Sequence, residues 1–356
     1  MISETIGIIG FLCISTLFGT IAIWNMNFGT KDLDRDMKYD APIQAPSQKV
    51  KMVIPEKLTP PSFAEEFKDF TGPLPLNNDR NLCYMNSLSH CLAAVYAKYP
   101  VFRYCSIDWN PVWNDYLKVL AKISRREPST EEPLSPRKFY EPFAKMDSKN
   151  FRNFFNFQQQ DPTEVLQTLL DVIDISPLAK MLKCSNFEIK TCTKCGYTSF
   201  RVVKDSILAL ALDTSTNNIA GLMSIYTKKQ EVELNCSRSD CYGKMAYKNI
   251  NFYDAQVLVI ALKIYNYLGE KITDLFNISE YMEHPLTKSK YRVLGVIYHS
   301  GVSVNSGHYI SVVRYGDKYF KCDDTAVNKV VPIEYSAVEA GECDSCQAYM
   351  IFYEKL

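Results

Sequence analysis

Apolar positions along this chain follow three rhythms in succession. The first is a solid block. Residues 6–24 read IGIIGFLCISTLFGTIAIW, and no charged side chain occurs between Thr5 and Thr30. At about 1.5 Å per residue, a helix over residues 6–27 crosses a hydrocarbon layer about 30 Å thick, so the block predicts a single transmembrane helix behind a short tail, 1–5. No Lys or Arg precedes the block, and its length is wrong for a cleaved leader. Lys31, Arg35 and Lys38 follow it, which predicts the rest of the chain on the cytosolic side of the membrane. Between 28 and 72, Pro42, Pro46, Pro55, Pro60 and Pro61 interrupt a weak periodicity and predict an extended tether.

The second rhythm is helical. Tyr84, Met85, Leu88, Leu92, Val95 and Tyr96 share one face, predicting a helix over 84–96, and Val112–Ile123 repeats the pattern after a break. Arg125 to Pro136 reads as a polar loop. A third helix, 161–173, opens with Asp161 as N-cap, Pro162 at N1 and Glu164 at N3. After about Phe187 the period becomes two. Strands are predicted over 206–212, 257–265, 291–299, 308–315 and 349–353. Helices first and strands later make an α+β body over 73–356.

Composition narrows the class. With 47% hydrophobic residues, 19 Phe and 23 Tyr in 356 residues, the chain is not disordered. Forty basic and forty acidic residues cancel, which argues against a partner bound by phosphate attraction and against nucleic acid. The twelve cysteines fall in CxxC-type pairs and lone positions, a usage suited to a reducing compartment and not to a disulfide framework.

Candidate chemistry starts from scarcity. The chain has four histidines, His90, His284, His299 and His308, so any nucleophile needing an imidazole base draws on these. His308 sits in NSGHYIS, where Gly307 frees the backbone just before a predicted strand. Asp323 and Asp324 follow fifteen and sixteen residues later, a spacing that suits a hairpin with a carboxylate facing the histidine. Cys83 lies where the polar run LNNDRN meets a helix start, and the positive end of the helix dipole favours a sulfur anion there. Asn77, Asn78 and Asn81 stand upstream with amides able to donate to an oxyanion. The plainer reading of Cys83 is a small buried hydrophobe, and of His308 a satisfied core histidine. Separately, Cys192-Thr-Lys-Cys195-Gly196 forms a knuckle, and Cys236 and Cys241 supply a second pair. Four thiolates would close a tetrahedral, structural Zn²⁺ site.

These residues resemble the ubiquitin-specific proteases, papain-like deubiquitinating cysteine peptidases. Asn78-Asp-Arg-Asn-Leu-Cys83-Tyr-Met-Asn-Ser87 resembles that family's cysteine box, and YRVLGVIYHSGVSVNSGHY, residues 291–309, its histidine box. Gln159 to Glu164 resembles its QQDAxEF helix start, Asp323-Asp324 with Val327 its acidic segment, and Tyr349 to Tyr353 its last strand. The resemblance, with its membrane-anchored mitochondrial members in view, covers about Pro73 to Glu354. It implies Cys83 as nucleophile, His308 as base, Asp323 as its orienting acid, Asp324 as a second polar support and Asn78 as oxyanion donor. It implies a non-catalytic, structural role for His299. It also implies a helical thumb, a β palm and zinc-ribbon fingers over about 184–262, with ubiquitin as partner and the isopeptide bond after its last glycine as target. Arg80, Leu82 and His90 replace the family's usual glycine, threonine and glutamine. The single anchor suits the mitochondrial outer membrane, with the endoplasmic reticulum as the alternative. Other readings are a weakly active or inactive ubiquitin-binding membrane module, a peptidase for another ubiquitin-like modifier, and a zinc-ribbon adaptor. Cys343 and Cys346 read as unpaired thiols.

Overall fold

The computed structural model describes residues 10–16, 19–25, 62–101, 111–135, 137, 140, 158–173, 177–203, 207–266, 268, 270–272, 276–303, 306–340, 342–343 and 346–356. The contacts divide the chain into a unit over Met1–Val50 and a body over Lys51–Leu356.

Within the first unit, β1 (Gly10–Thr16) pairs antiparallel with β2 (Gly19–Asn25), in the register Gly10↔Asn25 to Thr16↔Gly19. The transmembrane helix expected over 6–27 is therefore not what the described residues form. Ile14, Thr16, Thr20, Ile21 and Ile23 are β-branched, and branching at Cβ favours extended backbone over helix. Among the described residues, no helix is long and apolar enough to cross a membrane. The tether predicted over 28–72 lies outside the described residues up to 61, but its last part belongs to the body. Ser62 caps α1 (Phe63–Glu66) through a reciprocal capping box with Glu65. Phe67 is buried, and Lys318 Nζ donates to the Lys68 and Phe70 carbonyls.

Helix α2 (Cys83–Lys98) is buried from Cys83 through Ala97, which is why its sequence is apolar or small on nearly every side. It packs on α3 (Pro111–Ile123) and on α4 (Pro162–Val172). Asp161 caps α4 by accepting from the Thr163 N–H, with Pro162 at N1 as expected. Helix α5 (Pro177–Leu182) follows.

The main sheet runs β13 (Val330–Ile333), β12 (Lys318–Cys322), β11 (Ser306–Tyr315), β10 (Lys290–Ser303), β15 (Cys346–Lys355), β8 (Val257–Lys263) and β5 (Ile207–Ala211). Among the described strands, only β5 and β8 pair in parallel; β9 (Tyr281–Glu283) and β14 (Glu342–Cys343) pair at its margins. Apolar residues leave both faces. Val257 and Val259 face the helical cluster with α2, while Leu258, Ile260 and Leu262 enter a second core with Leu222 and Met223 of α6 (Ile219–Thr227). Burial on both sides explains the unbroken apolar run of β8. A second sheet, β4 (Thr198–Val203), β3 (Asn186–Cys192), β7 (Met245–Phe252) and β6 (Gln230–Glu233), lies within residues 184–262. Helix α7 (Tyr335–Glu339) follows β13. The α+β class predicted from the two rhythms is the class observed.

Candidate active site

Two elements converge at one end of the main sheet. Helix α2 begins at Cys83, and β11 runs beneath it from Ser306. Gly307 has φ +146°, and a Cβ there would lie 1.8 Å from the Ser300 carbonyl oxygen and 2.7 Å from His299 Nε2. Only glycine lets the strand pass so close before it presents His308. The Cys83 thiol lies close enough to the His308 imidazole to help hold the ring's proton. On the other side of the ring, Nε2 lies 2.9 Å from Asp323 Oδ1, which leaves Nδ1 for the sulfur. Sequence positions 83, 308 and 323 are thus one cluster.

Asp323 is the first residue beyond β12, in a turn closed by its N–H donating to the Lys329 carbonyl. The hairpin expectation is right in topology, with the acid one step past the strand. Burial works against a charged His308, but the hydrogen bonds to Asp323 and Cys83, with the charges of Cys83 and Asp324, outweigh it and raise the pKa to about 10. Burial also pushes the Asp323 carboxyl up, yet His308 and the two groups of Thr325 hold it well below the usual carboxylate range.

Asp324 is buried, and burial raises its pKa despite the donors around it. It sits 3.9 Å from His308 Nε2 and accepts from Asn86 Nδ2 at 2.6 Å and from Asn78 Nδ2 at 3.3 Å. Asn78 Oδ1 accepts from the Leu82 N–H at 3.0 Å, which fixes which end of that amide faces inward. Arg80 and Asn81 take positive φ, +72° and +52°, in the turn between Asn78 and the thiol.

His299 is buried behind this group. Its Nδ1 meets Tyr265 OH at 3.0 Å, its Nε2 meets Gln159 Nε2 at 3.3 Å, and its ring stacks on Tyr309 at 4.4 Å. Burial, with the charges of Lys271 and His308, lowers its pKa to about 4. A neutral, packed imidazole is what its structural assignment requires. His90 lies buried in α2, and burial lowers its pKa to about 3.

Two residues of the cluster escape the sequence reading. Asn86 follows Cys83 by three positions on a helix, a spacing that puts both on one face. Thr325 follows Asp323 by two, the spacing of an Asx turn, and its N–H does donate to Asp323 Oδ1 at 3.0 Å.

The second candidate site lies at the far end of the small sheet. Cys192, Cys195, Cys236 and Cys241 bring their sulfurs within 4.8 Å of one another, a set that could hold a metal ion. Cys192 and Cys241 are 3.9 Å apart, and Cys195 and Cys236 3.7 Å. Metal–sulfur bonds of about 2.3 Å in a tetrahedron put sulfurs about 3.8 Å apart, so the four thiols fit that geometry. Gly196 takes φ +70° to close the first knuckle, and the Cys236 N–H donates to the Gly243 carbonyl to close the second. The looser Cys-x4-Cys pair is drawn in as well as the tight one. Cys343 and Cys346 stand apart from this set, opposite each other across β14 and β15.

The family model described as "Ubiquitin carboxyl-terminal hydrolase" matches residues 75–353. "Probable ubiquitin carboxyl-terminal hydrolase 8" of Schizosaccharomyces pombe is 23% identical over 240 residues, 61% of this chain and 50% of that protein. "Ubiquitin carboxyl-terminal hydrolase 20" of Arabidopsis thaliana is 22% identical over 316 residues, 75% of this chain and 42% of that protein. The chain spans half or less of the length of these curated relatives. Among solved structures, a chain of a SAGA DUB module bound to monoubiquitin superposes with a TM-score of 0.65 at 19% identity, over 83% of this chain and 74% of that one. At that identity, the superposition speaks for the fold.

Proposed function

The chain belongs to the ubiquitin carboxyl-terminal hydrolase family, and from that premise we propose that it is a thiol peptidase hydrolysing the bond after the C-terminal glycine of ubiquitin. The observation that carries this reading is His308, 2.9 Å from Asp323 on one side and within reach of the Cys83 thiol on the other. That is the nucleophile, base and orienting acid of a thiol triad. The Cys83 sulfur bonds to the isopeptide carbonyl carbon, and the carbonyl oxygen takes up the negative charge. His308 passes the proton taken from the thiol to the lysine nitrogen as the C–N bond breaks. It then takes a proton from water, whose oxygen displaces the sulfur and frees the ubiquitin carboxylate. Asn78 is the proposed oxyanion donor. One of its amide hydrogens is engaged by Asp324, and the other serves the developing charge.

Residues 184–262 are the proposed zinc-bearing fingers beside a helical thumb and a β palm. Zinc held by Cys192, Cys195, Cys236 and Cys241 has no open position, so it is structural. One face of the finger sheet pairs Phe187 with Val202 and Ile189 with Phe200, and Phe200 is 60% exposed. Val202 on the same face is also exposed, and this small apolar patch supports a protein partner here. Membrane attachment, and with it a preference for membrane-associated substrates, rests on the uncharged run, and the mitochondrial outer membrane before the endoplasmic reticulum on the short basic flank that follows it. Fractionation of the full chain against a chain lacking residues 1–30 tests it, and a soluble full chain rejects it.

A ubiquitin probe with a C-terminal electrophile tests the activity. Wild type becomes labelled and Cys83→Ala does not; labelling of both, or of neither, rejects the mechanism. Probes carrying other ubiquitin-like modifiers, run in parallel, separate the modifiers. Ubiquitin binding without turnover of a fluorogenic ester would make the chain a binding module.

A further inference from the structure

We propose that Thr325 is a positioning residue of the catalytic pair, its hydroxyl locking the Asp323 carboxylate in place and sharing the His308 N–H. The inference rests on the thiol-peptidase reading and adds a residue to it. Three donors converge on one oxygen. Asp323 Oδ1 lies 2.9 Å from His308 Nε2, 3.0 Å from the Thr325 backbone nitrogen and 2.8 Å from Thr325 Oγ1. A carboxylate only accepts, so each of these three groups points a hydrogen at Oδ1. The His308 hydrogen is therefore on Nε2, and the one hydroxyl hydrogen of Thr325 is committed to Asp323. What Thr325 presents to the imidazole is a lone pair, 3.2 Å from Nε2. The N–H is shared between a carboxylate and a hydroxyl.

Two consequences follow for the chemistry. The carboxylate, pinned by a backbone and a side-chain donor of the same residue, cannot rotate away when His308 changes charge. The imidazole can also pivot between sulfur and leaving nitrogen while its Nε2–H keeps an oxygen partner. The first effect fixes the acid that orients the ring, and the second keeps the Nε2–H partnered through the swing, both conditions for efficient proton transfer. Neither Asp324 nor Asn86 supplies this service. Both are buried, and they satisfy each other and the loop before the thiol. Thr325 is exposed, in the turn whose neighbour Val327 is fully exposed, so it has no core to fill. A change at Thr325 therefore tests hydrogen bonding and leaves packing alone.

The experiment compares Thr325→Val, which keeps the shape and loses the hydroxyl, with Thr325→Ser, which keeps the hydroxyl. The first readout is the pH dependence of Cys83 alkylation by iodoacetamide, followed by mass spectrometry, which needs no ubiquitin. With the imidazole less firmly held, the Val variant needs a pH higher by about one unit to reach the same reactivity, a tenfold loss at fixed pH. The Ser variant follows wild type. The second readout is turnover of a fluorogenic ubiquitin ester, where kcat falls about tenfold for Val with KM unchanged, and Ser restores it. An alkylation profile for Val that overlays wild type overturns the proposal, and so does a Ser variant displaced as far as Val. Wild type without ubiquitin turnover overturns the peptidase reading instead, and the alkylation profiles still decide for or against Thr325.

Discussion

Asn86 Nδ2 stands 2.6 Å from Asp324 Oδ2 and 2.9 Å from the Asn77 carbonyl oxygen, so one amide on α2 ties the loop before the thiol to the turn that bears the acids. Asp324 is buried, and its other oxygen accepts from Asn78. Asn86→Ala removes the shorter of these bonds and leaves a buried carboxylate short of a donor. The expected cost is about 1–3 kcal/mol of stability. Turnover should fall further than unfolding explains, because Asn78 loses the anchor that aims it. Thermal melting, and ubiquitin-ester turnover measured well below the melting point, check this. An unchanged Tm with unchanged kcat/KM would remove Asn86 from the site.

Arg80 is a second pressure point. Its φ of +72° costs an L-residue with a Cβ roughly 1–2 kcal/mol, and the next residue, Asn81, tolerates that region better. Arg80→Gly relieves the strain, offset in part by the greater freedom of glycine in the unfolded chain. Arg80→Ala removes the same side chain and keeps the Cβ. The Gly variant is therefore expected to be more stable than the Ala variant by about 1 kcal/mol in urea unfolding. Equal midpoints for the two would show that the turn stores no strain at this position.

The cysteine cluster allows a cleaner separation of strain from ligation. A Cβ on Gly243 would lie 2.7 Å from Cys192 Sγ and 3.4 Å from Cys241 Sγ, whereas a Cβ on Gly196 would meet nothing within 4 Å. Gly243→Ala should thus lower bound metal per chain, as Cys195→Ser does, while Gly196→Ala should keep the metal and lose only backbone stability, about 1 kcal/mol. Metal content by elemental analysis after dialysis decides it. Full metal content in Gly243→Ala would mean that the sulfurs shift freely, against a rigid knuckle.

What could be read from the sequence depends on what each residue's signal is made of. The strand over 257–263 is legible because both of its faces are buried, and the thiol–imidazole–carboxylate set because histidine is scarce and the motifs around the three residues are chemically distinct. The finger strands escape a periodicity reading. In β3 the five residues between Asn186 and Cys192 are all half-buried, and no clean alternation survives. Asn86 and Thr325 join the site through distant partners, Asp324 for one and His308 for the other, and their local signals, an i+3 helix spacing and an Asx turn, are too common to single them out. The block at 6–24 shows the converse. Its apolar character is unmistakable, but β-branched residues leave helix and strand both open, and the described residues take the strand.

Stability against pH brings these titrating groups together. The folded pKa of His308 is about 10, above its ordinary 6.5, so folding holds that proton more tightly than the unfolded chain does. Its contribution is complete below pH 6.5 and is lost as pH rises towards 10. Asp323 is held below its ordinary 3.8, so its contribution is present above that value and disappears only in stronger acid. His299 opposes both. Its folded pKa of about 4 lies under 6.5, so acidification from 6.5 towards 4 favours the unfolded chain, which takes up the proton first. Between pH 5 and 6.5, therefore, the stability gap between wild type and His308→Gln should stay constant, and it should close as pH approaches 10. Over the same acid range, His299→Gln should lose less stability than wild type, whatever its starting value. Urea midpoints across pH 5 to 10 measure both slopes. A His308→Gln gap that widens with rising pH would mean that the imidazole is neutral beside Asp323.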